Sequence, residues 1–272
     1  MLLLAAKALL APVLLVICAM VERRWGTIAG GWLMGLPLMS GPASFFLLVE
    51  HGPRFAENAA RGTLLGMVGA GVFCAGYLLM ANRLGWRKSL VLAAAACLAA
   101  SYGLSFVRLD LGATLVLSAI VLALVVAAAA AVSTPNAEGP SPGHSRRGLA
   151  LKMVVASGIV VCVTVASTVL GSQMSGMLTA IPMITAVMVV SSHRAGGFGS
   201  ARRLLRGTVA GLWGGGAFFA VVGLLVSAAT PGITYLVATA AAALVALAAG
   251  RLESSRRLAV GSRLIMASLR IS

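Results

Sequence analysis

Proline and hydroxyl residues inside two otherwise apolar segments are the groups with which this chain could bind a small molecule. Residues 35–44 read Gly-Leu-Pro-Leu-Met-Ser-Gly-Pro-Ala-Ser, and Thr185 follows Pro182 at the same spacing as Ser40 follows Pro37. Proline removes one backbone hydrogen bond from a helix and leaves a carbonyl free, and nearby hydroxyls can join it in coordination. The alternative is a tolerated kink whose hydroxyls bond back to their own helix. The predicted substrate-binding residues are Pro37, Ser40, Ser44, Gln173, Thr179, Pro182 and Thr185.

Glu50 and His51 follow the first of these segments, in a chain that has only six acidic residues. An ionisable residue inside a membrane protein is a candidate for a proton path, and histidine titrates near neutral pH. We predict that the pair carries a proton. The alternative is that both side chains anchor the segment at the lipid headgroups beside Arg54. We interpret Glu22, which precedes Arg23 and Arg24, as part of an interfacial pair.

The residue patterns of enzymes and cofactor sites are absent from the sequence. Its three histidines, His51, His144 and His193, are not at metal-ligand spacing, and there is no phosphate-binding Gly-Lys-Ser/Thr loop. We therefore expect no enzyme activity, no catalytic residue, no metal and no cofactor.

The composition indicates that the elements holding these residues lie in a lipid bilayer. Of 272 residues, 60% are apolar and 10% are charged, whereas soluble domains are about 25% charged. The net charge of +15 would suggest nucleic acid as the partner of a soluble protein. In a membrane protein, the same excess of basic residues marks cytoplasmic loops, so we expect no nucleic acid partner.

Apolar stretches long enough to cross about 30 Å of hydrocarbon predict an all-α polytopic membrane protein with nine or ten spans. Residues 133–148, rich in Pro, Gly and Ser, are predicted to link a first repeat at 1–132 to a second at 149–272. Residues 256–272 carry arginines every seven positions, which favours a truncated or interfacial helix, with a tenth span as the alternative. The nine predicted spans run approximately 2–21, 26–49, 61–81, 88–107, 110–132, 149–170, 174–192, 205–228 and 232–250.

An internal repeat is visible at an offset of 145 residues, which brings Pro37 onto Pro182 and Arg61-Gly62-Thr63 onto Arg206-Gly207-Thr208. Each copy also carries two glycines four positions apart, and this spacing lets helices approach closely. We predict helix packing at these glycines and a possible homodimer through the same faces. The four glycines are Gly62, Gly66, Gly207 and Gly211.

The distribution of charge predicts that the two copies have opposite orientations. With the N-terminus outside, fifteen of the 21 basic residues fall in cytoplasmic loops, and the linker is cytoplasmic. Residues 50–61 carry two acids and two arginines, whereas the equivalent 194–206 carry four arginines and no acid. Inverted repeats are chiefly a property of secondary transporters. High Ala, Gly and Arg with little Lys favours the inner membrane of a bacterium.

A plan of two inverted five-span copies resembles the drug/metabolite transporter superfamily over most of the chain. That resemblance implies a proton-linked or exchange carrier of small metabolites. Residues 2–80 are also similar to the small GlpM-like membrane proteins linked to alginate production. The shared motifs are Leu-Ala-Ala-Lys-Ala-Leu-Leu at 4–10, Ile-Ala-Gly at 28–30, Leu-Pro-Leu at 36–38 and His51. This second resemblance implies a fused pair of such units and carries no functional residue across.

The sequence therefore predicts a secondary transporter of a small solute, in the direction of export, that works by alternating access between its two repeats. Two other hypotheses stay open. One is a non-transporting membrane protein that assists envelope or polysaccharide assembly, and the other is a lipid-headgroup flippase, since the aromatic-poor interior offers few groups for a polar solute.

Overall fold

A computed structural model of the chain describes residues 13, 16–38, 40–107, 109–131 and 182–268, without the side chains of 129–131 and 252–268. Within these ranges every regular element is a helix, so the predicted all-α class is confirmed. Residues 16–25 are helical. The elements that follow are α1 (Thr27–Gly35), α2 (Ser40–His51), α3 (Pro53–Ser105), α4 (Leu111–Ala131), α5 (Met183–Leu225) and α6 (Pro231–Ser268).

Five helical stretches in the described part of the chain are long and apolar enough to cross a membrane, which confirms a polytopic membrane protein. Leu124 on α4 and Leu236 and Leu244 on α6 are 63%, 73% and 69% exposed, as expected of side chains that face lipid. The five stretches are Thr27–His51, Pro53–Ser105, Leu111–Ala128, Met183–Leu225 and Pro231–Arg251.

Two of these stretches are interrupted by a kink at glycine. At about 1.5 Å per residue, a straight helix of the length of α3 would be more than twice as long as the hydrocarbon core is thick. Non-helical backbone interrupts α3 at Gly85 (φ 70°, ψ 170°) and α5 at Gly196 and Gly197. With both kinks counted as boundaries, described helical segments fall in eight of the nine predicted spans, although only residues 16–21 of the first are described.

Other predicted segments lie outside the described residues, in whole or in part. The span at 149–170 and the linker at 133–148 fall there, as does most of the span at 2–21. At the C-terminus, α6 continues as helical backbone through Ser268, so no break separates the last predicted span from the segment predicted to lie in the interface.

The span Thr27–His51 is interrupted at Pro37. The helix α1 ends at Gly35, Leu36 is extended (φ −70°, ψ 154°), and α2 begins at Ser40. The carbonyl of Leu33, which Pro37 cannot bond because it has no N–H, accepts a hydrogen bond from the Leu36 N–H at 3.3 Å, and the carbonyl of Pro37 itself accepts one from the Gly41 N–H at 2.8 Å. The equivalent carbonyl of Pro182, at the N-terminus of α5, accepts one from Ala186 at the same distance.

The backbone breaks recur at the offset of the sequence repeat. Gly52, between α2 and α3, has φ 84° and ψ 176°, and Gly197, which lies 145 residues further on, has φ 70° and ψ −173°. The kink at Gly85 corresponds in the same way to Thr230, the non-helical residue before α6. Residues other than glycine are strongly disfavoured at such positive φ angles. The backbone conformation therefore requires glycine at positions 52 and 197.

Glycines bring α1 and α5 into backbone contact. A Cβ atom at Gly207 would overlap the Ile28 carbonyl, and one at Gly211 would overlap the Trp32 carbonyl. On the facing helix, Gly31 and Gly35 are equally crowded by α5. Residue numbers rise together along both helices, so they run parallel. The other predicted pair, Gly62 and Gly66, is buried in α3.

The first half of α3 packs antiparallel to α5. Tyr77 contacts His193, the Met67 methyl group lies beside Gly215, and Glu57 reaches Ser227 just after α5 ends. Residue numbers therefore fall along one helix as they rise along the other. The buried core between them contains large side chains from both helices, among them Leu64, Phe73, Tyr77, Met188 and Phe219.

Candidate functional site

The helix break at Pro37 holds one group of the predicted substrate-binding residues. Pro37 and Ser40 are half-buried on either side of the non-helical turn, and Ser44 is buried one turn into α2. In the second copy, Pro182 precedes α5 and Thr185 is buried in its first turn. Gln173 and Thr179 lie outside the described residues.

Small residues of α5 surround the break. The carbonyl of Gly35 is 3.1 Å from the position that a Cβ atom would take at Gly215, and the Leu36 side chain lies against Gly214. The end of α1 therefore lies against two glycines of α5, whereas Gly41 at the start of α2 packs against the Phe218 ring. A helix C-terminus carries partial negative charge and an N-terminus partial positive charge, so the break brings together groups suited to a small polar solute.

Tyr235 of α6 completes this region, and sequence reasoning missed it. Its hydroxyl is 2.8 Å from the Ser44 Oγ. Its ring meets Phe45 edge-on at 5.3 Å between centroids, and Phe218 at 5.9 Å. Tyr235 lies beside the buried face of α6, which includes Thr234, Ala238 and Ala242, so only the packing of α6 against α5 brings it to Ser44. The scarcity of aromatic residues, 6% of the chain, was the one available signal.

Glu50 and His51 lie at the exposed end of α2. The His51 Nδ1 is 3.9 Å from the Glu50 Oε2, with the two side chains 48% and 37% exposed. The His51 ring stacks on Phe55, with 4.4 Å between centroids. This position, at the junction with α3, places both groups at an end of the helix bundle, away from the break at Pro37.

Glu22 is fully buried, in contrast to its interpretation as an interfacial residue. Its Oε1 accepts a hydrogen bond of 2.7 Å from the Ser192 hydroxyl of α5. Gly30 of α1 packs against its side chain, where an added Cβ atom would lie 2.8 Å from the Glu22 Cβ. Cys18, one turn earlier, is also buried. The adjacent Arg23 and Arg24 made Glu22 look like a surface residue in the sequence.

His193, which follows Ser192 on α5, contacts α3. Its Nδ1 is 3.0 Å from the hydroxyl of Tyr77, which is completely buried in α3. Arg194 is exposed and lies over the Trp86 ring, 5.3 Å from its centroid. Ser192 and His193 thus connect α5 to the helix at residues 16–25 and to α3.

A further polar connection between α3 and the end of α5 lies near the start of α3. Glu57 accepts hydrogen bonds from Arg61 at 2.6 Å and from Ser227 at 3.0 Å. Since Tyr77 lies five to six helical turns from Glu57, the antiparallel pair of α3 and α5 is held by polar contacts at both ends and by apolar packing between them.

The chain was also compared with known proteins. No protein-family model, no curated protein and no solved structure matches it. Its function is therefore argued from the geometry above.

Proposed function

We propose that this protein is a secondary transporter of a small solute, working by alternating access between two inverted repeats. The observation that carries the proposal is the interrupted span Thr27–His51. Its break at Pro37 lies against Gly214 and Gly215 of α5. In secondary transporters, broken helices at matching positions of the two repeats form the substrate site. Here the first residues of the site are Pro37, Ser40 and Ser44, joined by Tyr235.

Two structural features support the inverted repeat. The breaks at Gly52 and Gly197 have similar backbone angles at an offset of 145 residues. The segments that follow them, 53–84 in the first copy and 198–225 in the second, run antiparallel through the contacts of Met67 with Gly215 and of Glu57 with Ser227. Equivalent helices in opposite directions are what an inverted duplication produces.

The proposal includes a location and an orientation. We place the protein in the inner membrane of a bacterium, with the N-terminus outside, the linker at 133–148 in the cytoplasm and export as the direction of transport. In this orientation the exposed Arg83, Arg87 and Arg194 lie on the cytoplasmic side, as the preference of basic residues for that side requires.

Flux through reconstituted vesicles tests the proposal. Purified protein in vesicles of phosphatidylethanolamine and phosphatidylglycerol is assayed for exchange of radiolabelled amino acids, sugars, nucleosides and organic acids. We expect at least one class to exchange faster than in protein-free vesicles. The triple variant Pro37→Ala, Ser40→Ala, Pro182→Ala should lower that rate by about tenfold or more, the equivalent of roughly 1.4 kcal/mol.

Pro42→Ala is the matched control, because Pro42 is exposed in the first turn of α2 and outside the break. It should transport as the wild type does. Unchanged flux in the triple variant would show that the break is not the site, and absence of flux for every class in the wild type would favour the non-transporting assembly function.

A further inference from the structure

Glu22 is an acidic residue buried inside the helix bundle. Its side chain is 0% exposed, and Gly30 packs against its stem. Removing water from a carboxylate disfavours its ionised form relative to its neutral form. Ionisable residues inside membrane proteins are rare, and they commonly mark proton or ion pathways. The burial of Glu22 therefore indicates a function beyond packing.

Ser192 suits both protonation states of this carboxyl group. Its hydroxyl lies 2.7 Å from the Glu22 Oε1 and donates to it when the carboxylate is ionised. A hydroxyl can also rotate and accept a hydrogen bond, so the same oxygen can accept from Glu22 when the acid is neutral. The pair stays hydrogen-bonded while one proton is gained or lost.

Other titratable or charged groups lie in the part of the bundle that contains Glu22. They belong to the described helices that pack together there. Cys18 lies on the same helix, and His193 of α5 is bonded to Tyr77 of α3. Arg203, also on α5, reaches the Thr27 hydroxyl at 3.4 Å. Half-buried His193 and exposed Arg194 directly follow Ser192, so the polar groups extend from the buried carboxylate towards the end of the bundle.

We infer that Glu22, hydrogen-bonded to Ser192, is a proton-binding site inside the helix bundle, and that it couples transport to protons. The coupling part of this inference rests on the proposed function. The Glu22–Ser192 contact joins the first copy to the second, as does the Tyr77–His193 contact. Loss of the charge on Glu22 lowers the cost of moving it through an apolar interface, which links the proton to the relative movement of the copies.

Infrared titration of the full-length protein in vesicles tests proton binding directly. With six acidic residues in the chain, the carbonyl stretch of a neutral carboxylic acid can be assigned by single variants. We expect a band that appears as the pH is lowered and is lost in Glu22→Gln. The control Glu50→Gln, at an exposed position, should retain the band. An unchanged spectrum in Glu22→Gln would overturn the inference.

Ser192→Ala keeps the test decisive if Glu22→Gln fails to fold. Removing the hydroxyl that bonds Glu22 should shift the same band to higher frequency, because the C=O bond of a carboxylic acid is stronger when the acid loses a hydrogen bond. A band at the wild-type frequency in Ser192→Ala would contradict the assignment of the proton to Glu22.

Proton movement, followed by pyranine trapped in the vesicles, separates this inference from the proposed function. Glu22→Gln should lose solute movement driven by a pH gradient and keep solute exchange at equal pH. Gradient-driven movement in Glu22→Gln equal to that of the wild type would refute the coupling. A wild-type protein that shows the Glu22 band but moves no solute would refute the transporter and leave the proton site standing.

Discussion

At the scale of single residues, the contact between α1 and α5 leaves no room for side chains on either helix. Gly31 and Gly35 face Gly207 and Gly211 across backbone atoms alone. The glycines of α5 could be predicted from their spacing, because four residues separate small side chains along one helix face. Their partners on α1 could not, since many glycines of the chain have similar spacing and only the tertiary structure selects among them.

Gly207→Ala should destabilise the protein by about 1–3 kcal/mol, the usual cost of overpacking. The added methyl group would meet the Ile28 carbonyl, which belongs to helical backbone and moves little. Gly216→Ala is the control, because open space surrounds Gly216. Unfolding by dodecyl sulfate in mixed micelles measures both, and equal midpoints for the two variants would show that the close contact is absent.

Tyr77→Phe should cost about 0.5–1.5 kcal/mol, because it removes the hydrogen bond to His193 and keeps the ring. Tyr102→Phe makes the same chemical change at a side chain that is 65% exposed and should leave stability unchanged. Thermal unfolding in detergent compares the two. If both variants unfold at the wild-type temperature, the Tyr77–His193 contact contributes nothing to the stability of the protein.

Burial of individual polar side chains was the part of the site hardest to predict. Glu22 precedes two arginines, and this local pattern is typical of a helix end at the lipid headgroups. Its burial depends on Gly30 and Ser192, which are distant or unremarkable in the sequence, and arises only when α5 packs against the helix at residues 16–25. A sequence pattern indicates which residues are neighbours along the chain, and it does not indicate a distant partner such as Ser192.

At the scale of elements, glycines with positive φ decide where long helical segments turn. Gly52 and Gly197 have no atom within 4 Å of a Cβ position, so any cost of substitution there comes from the backbone conformation alone. The sequence predicted the spans on either side from their apolar length. The sequence did not predict that α3 is helical up to its kink at Gly85 and α5 up to its kink at Gly197, because arginines near these glycines favoured polar loops.

Gly52→Ala and Gly197→Ala should each cost about 1–3 kcal/mol, because both force alanine into a sparsely populated region of φ and ψ. Gly232→Ala is the control in open space within the first turn of α6, and it should be neutral or slightly stabilising. Chemical unfolding gives the three values. A large cost at one site and none at the other would argue against equivalent turns in the two copies.

At the scale of the whole molecule, we propose two copies of one unit with opposite orientations. The offset of 145 residues could be found from sequence because prolines and glycines at turns keep their spacing. The opposite orientation is a prediction from the charge of equivalent loops. The way in which the copies interlock, α1 parallel and α3 antiparallel to α5, required the structure, because helix faces of similar apolar character do not specify their partners.

Labelling of cysteines from each side of the membrane measures the opposite orientations most directly. Glu50 and Ala195 are equivalent and both exposed, and so are Arg83 and Ala228. Each is replaced by cysteine in a chain whose native cysteines, Cys18, Cys74, Cys97 and Cys162, are alanine. An impermeant maleimide should label Glu50→Cys and Ala228→Cys from outside, and Arg83→Cys and Ala195→Cys only after the membrane is opened. Labelling of both members of either pair from the same side would contradict the inverted repeat and the transport mechanism built on it.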